Sequence, residues 1–145
     1  MKIVSIFLLV GLLFTISDAQ TIVSGTITKD SVWSLANSPY IVNGSVTVNN
    51  PFTLTVDSGV VVRFTSAAYL FINGALHAHQ SAVFTSSKDT VGGSPQKGDW
   101  GSINLQGGAT SLILDTCQIK YGGGSAMING TVGSAVPSLP QRILR

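Results

Sequence analysis

The sequence predicts an all-β protein folded as a solenoid. Three observations lead there: a short strand-and-turn phrase that recurs, a composition suited to strands and turns, and period-two alternation within the phrases. The phrase is two apolar residues, then Asn, Ser or Asp, then Gly, then alternating small and apolar residues. It reads Ile22-Val23-Ser24-Gly25-Thr26-Ile27-Thr28, Ile41-Val42-Asn43-Gly44-Ser45-Val46-Thr47, Phe71-Ile72-Asn73-Gly74-Ala75-Leu76 and, more loosely, Met127-Ile128-Asn129-Gly130-Thr131-Val132. Val56-Asp57-Ser58-Gly59-Val60-Val61 is a fifth copy with one residue inserted. A unit of strand, turn and strand cannot bury its apolar face alone, so the copies must stack on one another. The competing arrangement is an antiparallel β-sandwich, in which the Asn-Gly pairs at 43, 73 and 129 serve as tight hairpin turns. The repeated phrase and its spacing favour the solenoid.

At the N-terminus, Lys2, an unbroken run free of charge from Ile3 to Ile16, and Ser17-Asp18-Ala19 supply the basic start, apolar core and small-residue site of a secretory signal peptide. The run is shorter than the ~20 residues a spanning helix needs, so no membrane span is expected after cleavage. The expected location is outside the cell or on its surface. Cleavage after Ala19 leaves positions 20–145, enough for one small domain. The expected organisation is a signal peptide at 1–19, solenoid turns over 20–124, and an incomplete turn or irregular tail over 125–145.

Without the signal the chain keeps seven basic and five acidic residues, every acid an Asp and no cluster of Lys and Arg. Phosphate binding needs clustered cations, so nucleic acid is excluded as a partner. Ser, Thr, Gly and Val dominate, which suits pleated surfaces and open corners rather than helix. Cys117 is the only cysteine, so no disulfide forms within the chain and stability must come from stacking. Its expected role is a small buried apolar filler.

Along the strands, alternation places Val46 and Val48 on one side with Thr47 opposite, and Leu76 and Ala78 on one side with His77 and His79 opposite. At Val60-Val61-Val62-Arg63-Phe64 the parity must shift by one, because alignment on Gly59 would turn Arg63 inward without a partner. Val60, Val62 and Phe64 are therefore expected inside, after an altered turn at Asp57-Ser58-Gly59. The glycines at 25, 44, 59 and 74 recur at short, uneven steps. The step from Gly44 to Gly59 equals that from Gly59 to Gly74 and that from Gly107 to Gly122, which suggests a short repeat. Two corner insertions are expected, Asp30 to Pro39 and Lys88 to Asp99, because surface excursions cost little loop entropy. Such loops are natural places for function.

Four stretches carry a likeness to a known family: Ser38-Pro39-Tyr40-Ile41-Val42-Asn43-Gly44, Thr53 through Phe64, Gly98-Asp99-Trp100-Gly101-Ser102-Ile103, and Leu114 through Gly123. With these, the span from 22 to 124 resembles the secreted bacterial right-handed parallel β-helix proteins, the pectin-lyase-like superfold. The resemblance implies an N-terminal part of a longer helix, followed by further rungs and a sorting or anchoring module. The chain departs from that pattern: it stops at Arg145 after Val136-Pro137-Ser138-Leu139-Pro140-Gln141-Arg142-Ile143-Leu144, with no strand phrase and no capping helix. The expectation is a truncated or frame-shifted product.

Enzymes of this fold that cleave acidic polysaccharides by β-elimination hold calcium in clustered carboxylates and use an Arg or Lys as base. The resemblance makes Asp89, Asp99 and Asp115 weak candidate calcium ligands and Arg63 and Lys120 candidate bases. The blander reading is that acids in Gly-containing turns bond local backbone and that strand cations keep the surface soluble. No catalytic residue is assigned. His77 and His79 offer two metal ligands on one face, but a site needs a third. Gly123-Gly124-Ser125-Ala126-Met127 misses the hydrolase elbow because Met127 stands where Gly is needed.

Trp33 and Trp100 sit at the two insertions, where flat rings could stack on sugars; the alternative is that each plugs the solenoid, since exposed Trp is uncommon. The functional expectation is an exported, non-catalytic β-helix module without a cofactor, a scaffold or a part of a larger secreted protein that binds extracellular polysaccharide or a cell-surface component. The alternative is a fragment of a polysaccharide lyase or glycoside hydrolase whose active site lies mostly beyond residue 145.

Overall fold

A computed structural model describes residues 19–123 and 128–130. The signal-peptide run, the Gly124-Ser125-Ala126-Met127 part of the near-elbow and nearly all of the 125–145 tail lie outside the described residues. Twelve strands are described, with one short 3-10 turn at Leu35–Asn37: β1 (Thr21–Ile27), β2 (Ser31–Trp33), β3 (Tyr40–Val48), β4 (Thr53–Val56), β5 (Val61–Phe64), β6 (Tyr69–Ile72), β7 (Ala75–Ala78), β8 (Val83–Ser86), β9 (Ile103–Leu105), β10 (Ser111–Leu114), β11 (Gln118–Ile119) and β12 (Ile128–Asn129). Among the described residues no helix is long and apolar enough to cross a membrane.

Every strand pairing among them is parallel. The pairings sort into three faces. The first stacks the leading half of β1, the leading half of β3, β5, β8 and β11. The second stacks the trailing halves of β1 and β3, then β6, β9 and β12. The third stacks β2, β4, β7 and β10. Each turn lays one strand on each face, so the chain is a parallel β-solenoid. The sandwich is thereby ruled out, because its hairpins would make neighbouring strands antiparallel.

The repeat is longer than the glycine spacing suggests. Tyr40 pairs with Val62, Val61 with Val83 and Thr53 with Ala75. These three steps along the chain are identical, and each exceeds the step from Gly59 to Gly74 by nearly half. Gly44 lies at the corner between the first and second faces, Gly74 between the second and third, and Gly59 between the third and first. The Asn-Gly phrase therefore marks corners of different kinds, and successive glycines are successive corners rather than successive turns. At Gly25, Gly44 and Gly59 a left-handed residue redirects the strand, whereas at Gly74 the close approach of the Asn49 and Phe52 carbonyls leaves no room for a side chain. At the first corner Gly25 and Gly44 have φ of 84° and 87°, and Ala67 takes that role one turn later at 58°.

The two expected insertions fare differently. The Asp30 to Pro39 stretch supplies β2 and the 3-10 turn, so it is a regular part of the first described turn. The Lys88 to Asp99 stretch does extend a corner. Across it the step between paired residues lengthens by more than half, as Val83 pairs with Gln118 on the first face and Ala75 with Ser111 on the third.

Inward side chains form aliphatic ladders in register. Val46, Leu70 and Ile103 stack on the second face, as do Val48, Ile72 and Leu105, while Leu54, Leu76 and Leu112 stack on the third. Apart from Leu105 and the half-buried Leu112, all are sealed from solvent. Parallel strands packed this way gain their stability from apolar burial, roughly 1.5–3 kcal/mol per large side chain. Val60, Val62 and Phe64 are fully buried, as the parity shift at Gly59 predicts. His77 faces outward opposite Leu76 and Ala78, and His79 is exposed.

Candidate binding surface

Both tryptophans belong to the interior. Trp33 is 6% exposed and stacks on Tyr40, with ring centroids 5.0 Å apart and planes 14° from parallel. Trp100 is 1% exposed and stacks on Phe64 at 4.1 Å and 10°. Its indole Nε1–H donates to the Lys120 carbonyl at 2.8 Å, which satisfies the one polar atom the burial would orphan. Packing thus occupies the ring faces that a sugar would need. Trp100 enters directly from the long corner and anchors that loop to the core.

The acids separate into pairs rather than a cluster. Asp99 accepts from Lys88 Nζ at 2.7 Å, from Gln96 N–H at 2.8 Å and from the Ser86 hydroxyl at 2.8 Å. Its side chain is only 7% exposed, and these donors, Lys88 foremost, hold its carboxyl at about 2. Asp89 accepts from Lys120 Nζ at 2.8 Å and the Thr85 hydroxyl at 2.7 Å, which hold it below the usual carboxylate range. The Asp99 carboxylate ties the long corner to β8, and the Asp89 carboxylate ties it to β8 and to the chain beyond β11. Asp115 lies at a different corner, beside Cys117. Among the described residues no three His, Cys, Asp or Glu side chains come together as metal ligands.

Arg63 and Lys120 do converge. Arg63 pairs in register with Thr85 on the outer side of the first face, and both cations act on Asp89. Arg63 Nε is sealed from solvent without a hydrogen-bond partner among the described residues. His77 Nε2 lies 3.1 Å from the Ser111 hydroxyl on the next turn. Burial, then the charge of His79, lowers its pKa, which disfavours the cation there. Cys117 is half-buried, with its thiol within 3.5 Å of the Ala78, His79 and Asp115 carbonyls. Burial and the Asp115 charge push its pKa up to about 11, so the thiol stays protonated and a weak nucleophile.

The surface that sequence reasoning missed lies on the outer side of the second face. In β6, Leu70 and Ile72 point inward, so Tyr69 and Phe71 point outward. Their rings stack at 5.3 Å and 14°. Tyr69 lies over Gly101, where an added Cβ would collide with the ring as it is placed, so a side chain there would displace Tyr69. Phe71 is flanked in register by Thr47 on the turn before and Asn104 on the turn after. Together with Asn73, Gln106 and Gly107, Thr47 and Phe71 line a shallow depression of about 440 Å³. Gln106 Nε2–H donates to Asn104 Oδ1 at 2.8 Å, which orients the amide. Asn73 Oδ1 packs against Gly108, where a side chain would not fit. The signal for this surface was legible: aromatic residues at two successive outward positions of one strand.

Comparison with known proteins finds no matching protein family, no similar curated protein and no similar solved structure. The class that the geometry defines is a parallel β-solenoid repeat protein with a half-exposed aromatic pair on one outer face.

Proposed function

We propose that this protein is an exported, non-catalytic module of the right-handed, pectin-lyase-like β-helix type, acting as a scaffold or as a carbohydrate- or surface-binding part of a larger secreted protein. The observation that carries the reading is the depression on the second face, where an aromatic ring and a hydroxyl on strands β6 and β3 stand beside two side-chain amides at the adjoining corner. An aromatic face beside amide and hydroxyl groups offers an apolar surface and hydrogen-bond partners together, which suits ligands rich in hydroxyls and apolar C–H faces. The N-terminal signal-peptide pattern supports an extracellular setting. The test is co-sedimentation of the secreted protein with insoluble cellulose, xylan, mannan, chitin and pectin. Retention on at least one is expected, and release of the protein into every supernatant refutes the carbohydrate reading.

A second reading, a fragment of a polysaccharide lyase or glycoside hydrolase, draws support from one observation. Arg63 and Lys120 meet around Asp89 on the outer side of the first face, and Arg63 Nε has no hydrogen-bond partner among the described residues. Two cations drawn together on one outer face are what an acidic sugar needs, although the Nε itself is sealed from solvent and only the exposed part of the pair is open to a ligand. Release of unsaturated uronides or new reducing ends would support this reading, and a panel of glycans left intact would reject it.

A further inference from the structure

We infer that the depression on the second face is a subsite for a neutral pyranose unit of an oligosaccharide, with Phe71 as the stacking ring and the Asn73 and Gln106 amides as the groups that read its hydroxyls; this rests on the carbohydrate-binding reading above. The argument begins with charge. The lining residues Thr47, Phe71, Asn73, Gln106 and Gly107 are all uncharged. A uronate or sulfated sugar needs a cation to offset its desolvation, and the lining supplies none. A neutral sugar needs none.

The ring chemistry points the same way. The face of Phe71 carries the negative side of its quadrupole, which attracts the polarised C–H groups on one side of a pyranose. Tyr69 holds Phe71 from its other side along the strand, so little ordering of the ring remains to be done on binding. Two side-chain amides line the same depression. Gln106 donates one N–H to Asn104, which leaves its carbonyl oxygen and second N–H for a ligand. Asn73 turns its oxygen towards Gly108, which leaves its NH₂ as a donor. A paired donor and acceptor beside an aromatic ring match vicinal hydroxyls on a sugar. Because each residue stands on a strand or at a corner of the stack, the spacing between them is set by the solenoid itself.

The test is an NMR titration of the ¹⁵N-labelled full-length secreted protein with cellohexaose, xylohexaose, mannohexaose and hexagalacturonate. At least one neutral hexasaccharide should shift the amides of residues 71–73 and 106–107. Phe71→Leu and Gln106→Ala should each weaken that binding about tenfold, while leaving the remaining spectrum unchanged. Phe71→Leu keeps apolar bulk, and Gln106 is a corner residue, so the two variants fail independently if either disturbs folding. Neutral binding that survives both variants overturns this site while leaving the carbohydrate reading in place. Binding of hexagalacturonate alone overturns the neutral class. No response to any of the four overturns the site and counts against the broader reading as well, and co-sedimentation on polymers then decides the latter separately.

Discussion

Trp100 is the residue whose replacement most directly tests how this solenoid is held together. Its ring is 1% exposed, lies 4.1 Å from the Phe64 ring and donates its N–H to the Lys120 carbonyl at 2.8 Å. The fit is tight on the far side too, since a Cβ on Gly122 would come within 2.8 Å of the ring. Trp100→Ala empties this space, and the backbone ladders on either side prevent collapse, so the expected loss is about 3–5 kcal/mol. Trp100→Phe keeps the stacking and most of the volume but leaves the Lys120 carbonyl without its donor, for an expected loss of about 1–3 kcal/mol. Urea denaturation followed by circular dichroism reads both. Because each turn leans only on its neighbours, hydrogen exchange should quicken first in β8, β9 and β11 rather than throughout. A loss below about 1 kcal/mol for Trp100→Ala would refute the packing argument. If that variant also stopped binding glycan, the ring would be a contact platform.

Acid should loosen the long corner first. Asp99 titrates at about 2 and Asp89 below the usual range, so both are depressed in the fold. Their contribution is full above the unfolded carboxylate value near 4 and is lost as pH falls through the folded values, towards 2. Urea midpoints measured between pH 5 and pH 2 should fall, and Asp99→Asn should flatten that limb; equal slopes would contradict the assignment. Cys117 should resist alkylation, because a pKa of about 11 leaves its thiolate about 100-fold scarcer at pH 8 than that of an ordinary thiol. Iodoacetamide should therefore label it far faster in urea than in buffer, and equal rates would show an open thiol. At Gly44, φ is 87° and nothing lies within 4 Å of an added Cβ, so Gly44→Ala costs only backbone strain. The expected cost is about 1–2 kcal/mol, with Gly44→Asn milder, as read by thermal denaturation; an unchanged midpoint in Gly44→Ala would argue against a left-handed corner.

Much of the candidate surface could be read from one strand. The alternation Tyr69, Leu70, Phe71, Ile72 already places two rings on the side opposite two core aliphatics. What could not be read was their company. Thr47 precedes Phe71 by a whole turn of the solenoid and Asn104 follows it by another, and only the pairing register brings the three side by side. The same holds for Asp89 and Lys120, which are joined across the long corner. The tryptophans were ambiguous for a related reason. An aromatic residue at a corner can turn outward or inward, and the choice depends on whether the neighbouring turn offers a partner ring, as Phe64 and Tyr40 do.

The sequence by itself determined the class of fold, the inward and outward parity of the stretches at Val46–Val48, Val60–Phe64 and Leu76–Ala78, and one of two expected insertions, the long one, because these follow from local alternation and from corner residues that act over a few positions. The tertiary structure alone decided the true length of the repeat, the assignment of the Gly phrases to three different corners and the grouping of residues on each outer face. The physical reason is that parallel pairing links residues a full turn apart. Its register is set by how whole inward ladders such as Val46, Leu70 and Ile103 nest, which no single stretch of the chain encodes.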